Sequence, residues 1–248
     1  MSKAADALQV EADDLQALEQ IEQPTSNEED AMPLEAWKSL RLGDVATFKN
    51  GLNFSPAEEG HEIKIVGVSD FKRHTELLNT ESLKTIKVLK AIRDDELLTS
   101  GDLLFVRSNG NKALIGRCLF FPNVSERLAF SGFTIRGRVN PTLILPSFAA
   151  HLMRSEAVRE QMIFAGGGTS INNLSQKSLA NIAIEIPSLA EQERIAQVLD
   201  AYDREIALSE RLLVNSRQQK EALMKDLFGG MRRLSDDPRE TQLDEDDG

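Results

Sequence analysis

Apolar residues recur along this chain in three rhythms. Between residues 37 and 188 short runs dominate: Ile63–Val68, Leu103–Val106, Leu114–Phe121, Phe133–Val139 and Ile182–Ile186, separated by Gly, Asn, Pro or Asp. Short apolar runs bounded by turn-formers predict strands. One segment among them, Pro146–Phe164, instead brings Phe148, Leu152, Val158, Met162 and Ile163 near one face of a helix. Strands interrupted by an isolated helix, without regular alternation, predict an α+β fold and not a doubly wound sheet.

The second rhythm begins at Leu189. No Gly or Pro follows until Gly229-Gly230, so a helix is predicted over 189–228. Ser188 can cap it, with Glu191 completing a capping box. At about 1.5 Å per residue such a helix is roughly 60 Å long. Leu199, Ile206, Leu213 and Leu227 fall on one heptad position, and Ile195, Tyr202 and Leu223 on the other, with Ser209, Ser216 and Lys220 interrupting. A polar helix with such a seam needs a partner helix, and no other segment is long and clean enough to supply it. A second copy of the chain is therefore expected to pack on Ile195, Leu199, Tyr202, Ile206, Leu213 and Leu223.

The third rhythm is mainly polar. Residues 1–36 carry ten acids against Lys3, and residues 235–248 carry seven acids against Arg239. Removing these −9 and −6 contributions from the total of −11 leaves +4 on residues 37–234. The acidic balance thus belongs to the ends, and the central part can present a phosphate-binding surface. Leu8, Leu15, Leu18 and Ile21 are loosely helical in spacing before Pro24, which allows either a flexible extension or a docking helix. The chain divides into an acidic extension (1–36), a mixed α/β domain (37–188), a long coiled-coil-forming helix (189–228) and an acidic tail (229–248).

Composition narrows the class further. The lone Cys118 excludes a disulfide framework and multi-cysteine zinc sites, and fits a reducing compartment. No apolar run approaches the roughly 18–20 residues that cross a bilayer, and MSKAADALQVEADD lacks a signal-peptide layout. A cytoplasmic protein is expected. His61, His74 and His151 show no ligand-type spacing with one another or with Cys118. Gly166-Gly167-Gly168 is followed by Thr-Ser-Ile and not by the Lys of a phosphate loop. No acid/base pair can be singled out, so no catalytic group is assigned.

Polar and basic turns form the one chemical pattern. The run ending at Val106 delivers Arg107, Asn109 and Lys112 onto a turn, where they can contact base edges and phosphates. Arg136 and Arg138 alternate with apolar residues and share a strand face, which is either solvated or DNA-facing. Phe71-Lys72-Arg73-His74 is a third basic loop. The strongest candidate is the loop Gly166–Ser175: Thr169, Ser170, Asn172 and Asn173 offer hydrogen bonds, Ile171 and Leu174 can anchor it, and Lys177 follows on a helical turn.

At these residues the chain resembles the specificity subunits of type I restriction–modification systems. WKSLRLGDVATFKNG resembles the family's domain start, and LLTSGDLLFVRSNGNKALIGR its central hairpin. GGGTSINNLSQKSLANIAIEIPSLAEQERIAQVLDAYDREI resembles its glycine loop, Ile-Pro strand and helix start. The resemblance spans Trp37 to Phe228 and implies a non-catalytic target-recognition domain that reads double-stranded DNA, with a helix that sets spacing. It implies adenine-N6 methyltransferase subunits using S-adenosylmethionine, and a motor–nuclease subunit using ATP and Mg, with no cofactor on this chain. Typical members carry two recognition domains and two helices, whereas here each motif occurs once. Self-pairing and a bipartite inverted-repeat target are then expected. The alternative, from another class, is a coiled-coil interaction protein or DNA mimic that reads no sequence.

Overall fold

Among the described residues, strand pairing is mostly antiparallel and distributed over three small sheets. The computed structural model describes residues 36–53, 59–72, 75–89, 92–166 and 173–230. The central sheet is ordered β2 (Ala46–Asn50), β8 (Thr134–Val139), β5 (Asp102–Val106), β6 (Cys118–Phe121), all neighbours antiparallel. All five residues of β5 are buried, so its unbroken apolar run marks a strand covered on both faces. A second sheet, β4 (Lys84–Val88), β3 (His61–Val66), β7 (Leu128–Phe130), joins an antiparallel pair to a parallel one. Its apolar side forms a small separate cluster around Ile63, Ile65, Ile86, Val88 and Leu97.

The third sheet pairs β1 (Lys38–Arg41) with β9 (Ala183–Ile186), antiparallel, and so closes the domain's beginning onto its end. The Leu-Gly-Asp segment forms a one-turn α1 (Leu42–Val45) that packs on α4 (Gln176–Ala180). A Cβ on Gly43 would lie 2.9 Å from the Cβ of Ala180, which is why the turn carries glycine there.

The predicted helix over 146–164 is two helices, α2 (Pro146–Arg154) and α3 (Glu156–Gly166). Ser155 interrupts them in an extended conformation (φ −61°, ψ 149°), and its hydroxyl donates to the Leu152 carbonyl at 2.7 Å. A serine that bonds the preceding turn competes with helix continuation. The break changes the phase, so Phe148, Val158 and Met162 reach the core while Ile163 is exposed. The run predicted over 114–121 is likewise shorter. A single 3-10 turn (Lys112–Leu114) and Gly116 at φ +72° precede β6. Within β6 the buried Cys118 thiol is pushed up to about 12 by desolvation and stays protonated.

The long helix is continuous as α5 (Leu189–Phe228). The compact unit containing the domain ends at Leu199, and a second unit takes in α5 from Asp200 onward, so the division falls inside the helix and not at its start. Gln192 explains why. Its side chain is fully buried, its Oε1 accepts from the Leu145 amide at 2.9 Å, and its Nε2 donates to the Leu143 and Pro187 carbonyls at 3.2 and 3.0 Å. With Ala196 buried and Ile195 packed on the main core, the helix's opening turns are domain material.

Gln192→Leu keeps the volume but leaves one amide and two carbonyls without that partner. It is expected to lower the unfolding free energy by roughly 3 kcal/mol in urea titration. An unchanged midpoint would show that the amide does not hold the helix to the domain.

Candidate nucleic-acid interface

Three backbone segments meet where β5 ends. The Arg107 and Ser108 amides both donate to the Phe133 carbonyl, at 2.8 and 3.3 Å. The Arg107 carbonyl accepts from the Leu174 amide at 2.8 Å, and Ser108 and Asn173 form an isolated antiparallel bridge. The turn between β7 and β8 and the residues after the glycine loop are thereby fastened to the exit of the most buried strand. Leu174 is fully buried, the anchor expected of it, and Ser175 caps α4 by accepting from the Ser178 amide at 3.0 Å.

The Arg107 guanidinium crosses this junction. Its Nε donates to Asn173 Oδ1 at 3.2 Å and its Nη1 to the Gly132 carbonyl at 3.3 Å. A guanidinium has about five donors, so this half-buried group is oriented by two bonds with others left to bind a base edge or phosphate. The following turn is built from consecutive side-chain bonds: Asn109 Oδ1 accepts from the Asn111 amide at 2.8 Å, and Asn111 Oδ1 from the Ala113 amide at 3.0 Å. Such Asx turns use the carbonyl end of each amide and leave the NH2 end as a donor. Lys112 is exposed on that turn, and Lys177 is exposed on α4. Thr169, Ser170 and Asn172 lie outside the described residues. So does Ile171, and so do Arg73 and His74 of the third basic loop.

Arg136 and Arg138 do share a face of β8, which is covered at Arg136 and partly open at Arg138. Arg136 is only 6% exposed; its Nη1 donates to the carbonyls of Leu97 and Asp95 at 2.8 and 3.0 Å, and its guanidinium lies 5.8 Å from the Phe130 ring centre. Arg138 is paired with Asp102, Nε to Oδ1 at 2.7 Å and Nη2 to Oδ2 at 2.8 Å. Asp102 is fully buried and also accepts from the Thr99 amide at 2.7 Å. Desolvation, and then the charge of Arg138, lower the Arg136 pKa, whereas the bond to Asp102 raises that of Arg138. Both arginines hold the 94–99 connection against the sheet. For Arg136 burial corrects the expectation of a DNA-facing side chain, whereas Arg138, paired with Asp102, keeps a side chain 37% exposed.

On α5, Leu199, Tyr202, Ile206, Leu213 and Leu223 are 37–55% exposed. Ile195 is not part of that exposed set, because it packs against the domain core. Among the described residues, no group of three or more His, Cys, Asp or Glu side chains is placed to hold a metal ion, and no helix is long and apolar enough to cross a membrane.

Sequence reading missed two residues at this surface. The apolar run Phe133–Val139 predicts a strand that includes Phe133, yet this residue sits just before β8 and is 62% exposed. Lys84 begins β4, whose alternation of exposed and buried positions was a readable signal. Both line a groove of about 630 Å³ that runs beside Asn109 and Ser131.

Residues 34–215 match the model for the type I restriction modification DNA specificity domain. The StySPI specificity subunit of a type I restriction enzyme from Salmonella potsdam is 31% identical over 112 residues, 44% of this chain and 23% of that protein. A putative type I restriction enzyme specificity subunit, MjaX, from Methanocaldococcus jannaschii is 27% identical over 202 residues, 78% of this chain and 46% of that protein. The chain therefore spans less than half the length of these relatives. The crystal structure of the HsdS subunit from Thermoanaerobacter tengcongensis shares the fold, with a TM-score of 0.51 and 23% identity over 85% of this chain and 54% of that one. That of the type I S subunit from M. genitalium does so with a TM-score of 0.54 and 14% identity, over 81% and 48%.

The two kinds of basic residue separate experimentally. Arg136→Ala is expected to lower stability by roughly 3 kcal/mol, because it leaves the Leu97 and Asp95 carbonyls without their buried charged donor. DNA affinity per folded molecule should stay within about twofold. Lys112→Ala should do the reverse, leaving the urea midpoint within about 0.5 kcal/mol while weakening binding. Equal loss of affinity in both variants would reject the division.

Proposed function

The chain belongs to the type I restriction modification DNA specificity family, and from that premise we propose that it is the non-catalytic DNA-reading subunit of a type I-like restriction–modification complex. The observation that carries this reading is the junction at Arg107, where a guanidinium already oriented by Asn173 and Gly132 adjoins the donor-rich turn of Asn109 and Lys112. Such a surface needs no reacting group of its own. Its task is to place donors against base edges, while lysines such as Lys112 and Lys177 fix register on the phosphates. Thr169, Ser170 and Asn172 belong to the same contact set by their place in the sequence.

The chemistry lies on partners in this proposal. Adenine-N6 methyltransferase subunits carrying S-adenosylmethionine extrude and modify the base, and a motor–nuclease subunit using ATP and Mg cleaves unmodified DNA. The reading surface chooses where they act. The exposed apolar residues of α5 favour self-association, with Ile206 and Leu213 of one copy packing on the helix of another. Two copies related by a two-fold axis would read an inverted repeat with a fixed spacer.

Two measurements test these proposals separately. Affinity for the sequence defined by mapping methylated adenines, in cells with and without this gene, should fall steeply with salt. Arg107→Ala should weaken or relax that recognition by about 1–3 kcal/mol if the side chain meets a base. A shallow salt response with equal affinity for scrambled duplex would instead indicate a protein-interaction module. For self-association, the double variant Ile206→Asp, Leu213→Asp should be monomeric by light scattering at concentrations where the unaltered chain is dimeric. A dimer that survives both changes would remove this seam from the interface.

A further inference from the structure

Phe133 is a large apolar side chain exposed at the rim of a groove whose other large apolar residues are buried or half-buried. Scattered exposed hydrophobics are ordinary on protein surfaces, so exposure alone singles out nothing. Its anchoring does. The preceding turn is fixed by the Ser131 amide on the Val66 carbonyl at 3.0 Å and the Gly132 amide on the Leu52 carbonyl at 2.8 Å. The Thr134 hydroxyl returns to the Ser131 carbonyl at 2.7 Å, and the Phe133 carbonyl itself takes the amides of Arg107 and Ser108. An exposed ring is thus held by a backbone with little freedom.

Its neighbours supply the chemistry. The preceding residue's carbonyl receives the Arg107 guanidinium, whose other bond reaches Asn173. The groove that Phe133 lines is bordered by Asn109, Lys84 and Ser131, and the buried Ser131 Oγ has no hydrogen-bond partner. A protein partner large enough to bind through this aromatic would need a contiguous exposed apolar patch. The groove's Ile65 and Ile86 are buried and Val68 half-buried, which leaves Phe133 as its one large exposed apolar side chain beside serines, Asn109, Lys84 and Asp70. In the DNA major groove the base edges are polar except for the thymine C5-methyl group. One apolar ring among oriented donors matches that arrangement.

We propose that Phe133 is a specificity-determining residue that reads a thymine by packing its ring on the C5-methyl group. The inference rests on the proposed DNA reading. The same pinned turn that aims the Arg107 donors would set the ring at the adjoining base step.

The test uses the full chain with its methyltransferase partner and duplexes of the mapped recognition sequence. Each thymine is replaced in turn by deoxyuridine, which removes only the methyl group. One thymine per half-site should weaken binding about fourfold, the value of one buried carbon. Phe133→Ala should bind thymine and deoxyuridine duplexes alike at that position, and Phe133→Leu should restore part of the difference. Insensitivity of the unaltered complex to every deoxyuridine overturns the inference, as does an effect that persists unchanged in Phe133→Ala. Uniform weakening by Phe133→Ala on all duplexes, with the deoxyuridine effect intact, points to a wedge between bases and also overturns it. If the unaltered complex fails to distinguish cognate from scrambled duplex, the DNA reading itself falls, an outcome separate from the failure of Phe133 alone.

Discussion

A carboxylate with no exposed surface must be compensated where it stands, and much of this domain's architecture follows from the compensation of Asp102. The residue opens β5 and is fully buried. Burying an ion without partners is costly enough that the surroundings must supply charge and donors together. Here Arg138 from the neighbouring strand supplies the charge, and Thr99 supplies an amide and a hydroxyl, the latter at 3.3 Å. Arg136, two residues earlier on the same face, extends the clamp to the Leu97 and Asp95 carbonyls. Lys49, paired across from Arg136, adds an ion pair to Asp95 at 2.7 Å, and that bond outweighs the opposing effect of desolvation and holds the Asp95 carboxyl below its usual range. The connection into β5 is therefore tied to the strand beside it.

That tie matters because β5 is the element that delivers Arg107. A strand buried on every residue and fixed at its start leaves little play at its other end. The region where Arg107, Phe133 and Asn173 meet inherits this rigidity. Binding geometry built on such an element loses less entropy on complex formation than geometry built on a free loop. Arg107, Arg136 and Arg138 are thus parts of one arrangement, with Arg136 buried and the other two partly exposed.

Which parts of this could be read from sequence depended on how strongly each element's own residues specify it. β5 carries an unbroken apolar run, β8 and β9 alternate apolar with other residues, and α5 is a long breaker-free stretch, so all four are legible with small errors at the strand ends. β1 offers only Leu40 as an apolar residue, and β7 is three residues long. Both exist through their pairing partners, Ala183–Ile186 for β1 and Lys64–Val66 for β7, and partners distant in sequence leave no local signature. The Arg136–Arg138 spacing correctly indicated a shared face. It carried no information on what covers that face, because the covering segment is held by hydrogen bonds to its carbonyls and not by a side-chain pattern. Lone residues were equally silent. Phe133 reads as strand until the turn before it is known, and Gln192 reads as surface until its three partners are.

The junction beside β5 divides labour between backbone and side chains. The bonds that hold the three segments together run from the Arg107 and Ser108 amides to the Phe133 carbonyl, and from the Leu174 amide to the Arg107 carbonyl. They persist whatever side chains occupy 107, 108 and 133. Burial is concentrated on Leu174 and the β5 interior, while positions 109, 112, 133 and 173 contribute little to the core. Substituting them should therefore alter the surface with small effect on the scaffold, since substitutions away from core, cap and buried network are nearly neutral for stability. Arg107 is the partial exception, because its guanidinium also bonds the Gly132 carbonyl. The proposed recognition surface can therefore change its chemistry independently of its fold, and that independence comes from backbone hydrogen bonds at the exit of one buried strand.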